Sequence, residues 1–282
     1  MRILVTGGTG TTGSRVAAKL RHAGHEAVVA SRAGLSGVTF DWKDHATHAA
    51  VARDVGAAYL VAPSGEFDLL AAMVPFIDSL LKAGVGRIVL LSAASIERGG
   101  PMMGAVHDYL AHNAPCWTVL RPSWFMQNFS ERQHRETILS EDAIYSAAGD
   151  GRVGWIDAGD IAAVAAATLV DERRDNGDIV ITGPEALGYD ELAATIGAAL
   201  GRTILHRRLT EDQLAARFEA TGMPPDYAAT LAGMDTAIAA GAGDFVTGAV
   251  TDVTGVRPTS FYHFTQDTRA AWLRTTDKEF AG

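Results

Sequence analysis

Three glycines at three-residue spacing, Gly7, Gly10 and Gly13, stand directly behind the apolar run Ile3-Leu4-Val5 and ahead of a helical pattern with Val16, Ala17 and Leu20 on one face. A strand, a tight glycine turn and a helix N-terminus make an anion site. Backbone N–H groups and the positive end of the helix dipole converge there on one point. A Cβ would block the close approach and forbid the turn's dihedrals, which is why the residue type is glycine. The loop from Gly7 through Thr9, Gly10, Thr11 and Thr12 to Gly13 is therefore expected to cradle a pyrophosphate and to open a βαβ unit.

About twenty residues past this loop, the second apolar run ends Val28-Val29-Ala30-Ser31-Arg32. A carboxylate here would accept hydrogen bonds from a ribose 2′-hydroxyl, whereas an arginine pairs with a 2′-phosphate. Such charge-assisted bonds are worth about 1.5–3 kcal/mol. The expected cofactor is thus NADPH/NADP rather than NADH; the alternative is a solvated surface arginine. Further strand ends should line the same trough. Asp41 could meet an adenine amino group and Trp42 cover its ring, while Ala62-Pro63 and Ser92-Ala93 let a nicotinamide lie against backbone. Each of these taken singly also reads as an ordinary turn.

The elements that must position these residues alternate apolar strands with Ala-rich helices. This is the pattern of an α/β, Rossmann-like, doubly wound parallel sheet. Strands are predicted over Arg2–Thr6, Glu26–Ala30, Val38–Phe40, Ala58–Val61, Arg87–Ser92, Trp117–Arg121 and Asp178–Thr182. Helices are predicted over Thr12–Ala23, His45–Asp54, Phe67–Ala83, Met102–His112 and Asp160–Val170, with Ile138–Ile156 as an excursion. After Gly183-Pro184 the texture becomes helical without strong β character: Tyr189–Leu200, Glu211–Thr221 opened by the capping box Thr210-x-x-Gln213, and Asp226–Ala240. A last helix is expected in the tail from Arg257-Pro258 to Phe280. The chain thus divides into a nucleotide-binding domain, 1–183, and a smaller helical substrate lobe, 184–282, whose last segment can pack back on the sheet.

Composition narrows the classes. The net charge of −9 and the lack of a basic stripe (Arg173-Arg174 sits among acids) argue against nucleic acid. No run of eighteen apolar residues appears, so no membrane partner is expected. The lone Cys116 excludes a disulfide scaffold and fits a reducing compartment. With the first strand beginning at Arg2 and leaving no room for a leader, a cytoplasmic location is expected. His45 and His48 lie three apart, but no third ligand has metal spacing, so no metal is expected. No Gly-x-Ser-x-Gly elbow marks a hydrolase.

Four segments carry a family resemblance: Val5-Thr-Gly-Gly-Thr-Gly-Thr-Thr-Gly13, Arg87-Ile-Val-Leu-Leu-Ser92, Trp117-Thr-Val-Leu-Arg-Pro-Ser-Trp-Phe-Met-Gln-Asn128 and Trp155-Ile-Asp-Ala-Gly-Asp-Ile161. Over nearly its whole length the chain resembles the NmrA-like family of atypical short-chain dehydrogenase/reductases, nearest the ergot-alkaloid-type and triphenylmethane reductases. The resemblance implies a Rossmann-type fold, NADP(H) binding and a substrate pocket under the helical lobe. It places Trp124, Phe125 and Asn128 near the nicotinamide or the pocket wall, and makes Asp160 a structural helix cap.

One departure shapes the chemistry. Ordinary short-chain dehydrogenases carry a Tyr-x-x-x-Lys pair on the helix after the fifth strand. Here Tyr109 is followed four residues on by Asn113, and no lysine occurs between Lys82 and Lys278. His107, where relatives often carry Glu, is a candidate proton donor or ribose contact, and equally a surface histidine. The expected activity is therefore hydride transfer from NADPH to a small apolar or cationic, electron-poor acceptor: an iminium, a quinone-like ring or a conjugated cation. Such acceptors need little acid catalysis. The alternative is an NADP(H)-binding redox sensor without turnover, and a homodimer is an open possibility.

Overall fold

The computed structural model describes residues 1–32, 34, 37–173 and 175–274. Arg174 and the expected helix end at Phe280 lie outside them. The chain begins with β1 (Arg2–Thr6), α1 (Thr11–His22), β2 (Glu26–Ser31) and β3 (Val38–Thr39). A 3-10 turn (His45–Thr47) leads into α2 (His48–Ala52), then β4 (Ala57–Leu60), α3 (Leu69–Lys82), β5 (Arg87–Leu91), α4 (Met103–Asn113) and β6 (Trp117–Pro122). There follow α5 (Gln127–Ser130), α6 (Gln133–Ser140), β7 (Ala143–Ser146), β8 (Arg152–Val153), α7 (Ala158–Val170) and β9 (Gly177–Ile181). The rest is β10 (Leu187–Gly188), α8 (Tyr189–Leu200), β11 (Leu205–Arg208), α9 (Glu211–Ala220), α10 (Pro225–Ala239), α11 (Ala249–Thr254) and α12 (Phe261–Asp267), closed by a 3-10 turn over Arg269–Trp272.

Two compact units result. The first takes 1–122, 158–181 and 248–256, and the second takes 123–157, 182–247 and the chain from Arg257. The chain passes between them several times, where the sequence reading placed one cut after residue 183.

The first unit is a parallel sheet in the order β3-β2-β1-β4-β5-β6-β9. Its central strands are apolar runs because helices cover both faces: Ile3, Leu4, Val5, Val89 and Leu90 are wholly buried. On one face α1 packs beside α7, and α7 beside α11. On the other, Phe76, Met73 and Leu80 of α3 and Val106 and Leu110 of α4 pack with Leu60, Ile88 and Leu90 of the sheet. Strand order reverses between β1 and β4, the switch point outside which open α/β sheets bind ligands.

The second unit has an aromatic core of Phe129, Trp155, Tyr189, Phe261, Phe264 and Trp272. Its indole groups are satisfied by backbone: Trp155 Nε1–H donates to Leu187 O (3.0 Å) and Trp272 Nε1–H to Phe129 O (2.7 Å). The capping box forms as expected, Gln213 N–H donating to Thr210 Oγ1 (3.2 Å) and Thr210 N–H to Gln213 Oε1 (2.9 Å). Two expectations are corrected. The stretch after residue 183 does contain strands: β11 pairs parallel with β7, and β10 antiparallel with β8. Leu205-His206-Arg207-Arg208 lacks apolar alternation, so only its distant partner makes it a strand. And α7 starts at Ala158, which puts Asp160 in its first turn rather than at its cap, where the helix dipole still favours a carboxylate. Among the described residues no helix is long and apolar enough to cross a membrane.

Candidate functional site

The glycine turn closes as tightly as its spacing implies. Gly7 has φ +59°, and its carbonyl accepts from Gly10 N–H (2.8 Å). A Cβ on Gly13 would lie 2.3 Å from the Gly7 oxygen, and one on Gly8 2.6 Å from Val29 Cγ1. The turn is held from below by Thr6, whose hydroxyl accepts from Val61 N–H (2.8 Å) and donates to Tyr59 O (3.2 Å), tying the end of β1 to the end of β4. α1 then begins at Thr11 with Gly10 as its N-cap, no capping side chain and no acid in the first turn. Uncapped N–H groups at a helix start, next to a cradle that a Cβ would fill, fit a pyrophosphate.

The other strand ends of this unit fall at the carboxyl edge with it. Arg32 is exposed, one residue past β2. The Asp41 carboxylate accepts from Lys43 N–H (3.0 Å), closing its own turn. Trp42 is 9% exposed and packs edge-on against Phe40 (5.0 Å) and Phe76 (5.5 Å), so most of its ring belongs to the core. Ala62 and Pro63 follow β4, half-buried. Ser92 N–H donates to Leu120 O (2.8 Å) and Ala94 N–H to Pro122 O (2.9 Å), so the backbone through Ala93 runs on from β5 along β6.

Tyr109 and His107 on α4 sit in different surroundings. Tyr109 donates its hydroxyl to Asp78 on α3 (2.6 Å), a bond that raises its pKa. His107 is buried, 5.3 Å from the Trp117 ring at the start of β6, with both ring nitrogens unpartnered. Burial holds its pKa below the usual imidazole value.

In the second unit, the segment after β6 is held against residues 156–157. Met126 N–H donates to Ile156 O (2.9 Å), Ile156 N–H to Trp124 O (2.9 Å), and Gln127 Nε2 to Asp157 Oδ2 (2.7 Å). This fixes Trp124, Phe125 and Asn128, all half-buried, on one short stretch.

Sequence reasoning missed Arg121. Its guanidinium, 8% exposed at the end of β6, donates to Asp178 Oδ2 (2.7 Å), to Ala94 O (2.9 Å) and to Glu97. It thereby pins the loop that follows β5. An arginine inside an apolar strand was the available signal. No group of three or more potential metal ligands occurs among the described residues.

No protein-family model matches the chain. It is 42% identical to the uncharacterized oxidoreductase YesF of Bacillus subtilis over 275 residues, covering 96% of each chain. It is also 42% identical to agroclavine dehydrogenase of Claviceps fusiformis over 287 residues, 97% of this chain and 99% of that one. Among solved structures, the Escherichia coli NADPH-dependent quinone oxidoreductase QOR2, complexed with NADPH, superimposes with a TM-score of 0.81 at 23% identity, over 95% of this chain and 99% of that one.

Proposed function

Because the chain belongs to the NmrA-like atypical short-chain dehydrogenase/reductases, and is an oxidoreductase, we propose that it is an NADPH-dependent reductase of apolar, electron-poor acceptors. The observation that carries this reading is the pairing of a pyrophosphate cradle at Gly7–Gly13 with a Tyr109 hydroxyl committed to Asp78. The nicotinamide supplies hydride when bound. The chain's own residues bind and orient: the glycine turn and the start of α1 take the pyrophosphate, Arg32 takes a 2′-phosphate, and Ala62, Pro63, Ser92 and Ala93 offer backbone to the ring. Without a Tyr/Lys acid, the favoured acceptors carry their own electrophilicity, as an iminium, quinone-like ring or conjugated cation does. Trp124, Phe125 and Asn128 supply a wall of the substrate pocket.

Two measurements test this. Calorimetry is expected to give tighter binding of NADPH than of NADH, and NADPH oxidation is expected with at least one acceptor among imines, quinones and cationic dyes. No heat with NADPH or NADP⁺ overturns the proposal. Tight binding with no turnover on any acceptor replaces it with a redox sensor.

A further inference from the structure

We infer that the outer edge of β11 docks an extended peptide segment of a protein partner, one that carries a carboxylate between apolar side chains. The site lies within the second unit and does not depend on the reductase reading. Leu205 N–H donates to Asp142 O (2.9 Å) and Leu209 N–H to Ser146 O (2.9 Å), so these residues turn their main chain to the β7 side. Alternation along the strand then turns the main-chain N–H and C=O of His206 and Arg208 the other way. Among the described residues no main-chain partner meets them there. A row of unpaired strand groups is a template for one more strand.

Open space lies along this edge. A groove of about 620 Å³ separates α8 from β11, lined by Ala194, Gly197 and Ala198 on the helix and by Leu205 and His206 on the strand. That volume is within the ~300–1,000 Å³ of ligand sites. His206 is half-buried as a residue, yet its side chain is wholly buried, with Nδ1 on Asp190 (3.0 Å) and Nε2 on the Ser146 hydroxyl (2.8 Å). The part of His206 that faces the groove is therefore main chain. Ala194, Gly197 and Ala198 bear nothing larger than a methyl group, so an added backbone can approach the strand without displacing a side chain. A short, charged edge is also how proteins discourage pairing, but such an edge needs no groove beside it.

The chemistry of the occupant follows from the side chains. Leu205 and Arg207 project to one face of β11, His206 and Arg208 to the other. Leu205 is 42% exposed, and Arg207 is exposed with no ion pair among the described residues. The charges lining the groove are already matched, Asp190 by Arg208 (2.6 Å) and Arg202 by Asp142 (2.7 Å). A strand laid beside β11 therefore meets Arg207 best with a carboxylate and Leu205 with an apolar residue two positions away. The residue between them turns toward α8, where an apolar side chain fits the small-residue floor. A second copy of this chain fits poorly. The antiparallel register that pairs His206 with Arg208 in both directions sets Arg207 opposite Arg207, and like charges directly opposite destabilise a sheet.

The test uses the full chain and a fluorescein-labelled peptide with the core Ile-Val-Glu-Val-Ile, which reads the same in either strand direction. Fluorescence anisotropy is expected to show binding with a submillimolar Kd, at least tenfold tighter than for the same peptide with Lys in place of Glu. Saturating peptide is expected to slow hydrogen exchange of the His206 and Arg208 amides at least tenfold. Arg207→Glu is expected to reverse the preference between the two peptides, and Ala194→Trp, which fills the groove, to abolish binding of both. No binding of the Glu peptide to wild type, an unchanged preference in Arg207→Glu, or unchanged exchange at His206 and Arg208 overturns the assignment. Protection of those amides that grows with protein concentration in the absence of peptide gives the edge to a second copy and overturns it equally.

Discussion

Gly13 lies so close to the Gly7 carbonyl that a Cβ added to it would sit 2.3 Å from the oxygen. The obstacle is backbone, which cannot rotate away. Gly13→Ala is therefore expected to open the turn and weaken NADPH binding at least thirtyfold by calorimetry. Gly24→Ala is the control: its φ of +81° costs about 1 kcal/mol, but no atom lies within 4 Å, so NADPH affinity should hold.

Arg32 offers a planar fork, exposed, just beyond β2. Arg32→Ala is expected to cut the NADPH/NADH ratio of kcat/KM ten- to a hundredfold, the equivalent of about 1.5–3 kcal/mol. An unchanged ratio would make Arg32 a solvated surface residue.

Arg121→Met removes the tie among Glu97, Asp178 and the Ala94 carbonyl. Both carboxylates are partly exposed, at 78% and 36% of their side chains, so water compensates much of the loss. The expected destabilisation is about 1–3 kcal/mol, read from urea midpoints, together with a raised KM for NADPH as the loop after β5 loosens.

Acid should weaken the fold through His134. Its folded pKa is pushed down to about 3 by burial, whereas the unfolded imidazole titrates at 6.5. Between these values the unfolded chain takes up a proton that the folded one refuses. Stability therefore falls as pH drops below 6.5, by up to about 1.4 kcal/mol per pH unit. Burial lowers His48, His107 and His206 as well, adding slope of the same sign. His134→Phe is expected to flatten the dependence between pH 6.5 and 4.5, measured by denaturant midpoints.

Asp235 works in the opposite direction. Burial raises its folded pKa from 3.8 to about 6, with the Ala147 N–H opposing. The folded carboxyl keeps its proton between those values while the unfolded one loses it. Its contribution to stability therefore declines as pH rises from 3.8 to about 6. Without ligand, Asp235→Asn is expected to be more stable than wild type at pH 7.5, by about 2–3 kcal/mol, and little different at pH 3.5. Melting temperatures at the two pH values check this.

The residues local enough to be read from the chain were those whose pattern and partner lie close together. The run Ile3-Leu4-Val5 with Gly7, Gly10 and Gly13 specifies strand, turn and helix within one short stretch, because dihedral freedom and strand periodicity are local properties. The helix Tyr189–Leu200 and the capping box at Thr210 were legible for the same reason. What the tertiary structure alone decided depends on partners far apart in sequence. His107, a surface histidine on one reading, is buried beside Trp117, and Trp42 turned from a ring cover into an edge-on partner of Phe76. Leu205-His206-Arg207-Arg208 became a strand only against Ala143–Ser146. Asp235 carries no local mark at all. Its burial, with the Ala147 N–H as donor, arises from what α10 packs against, and burial free energy depends on surroundings that no neighbour in sequence supplies.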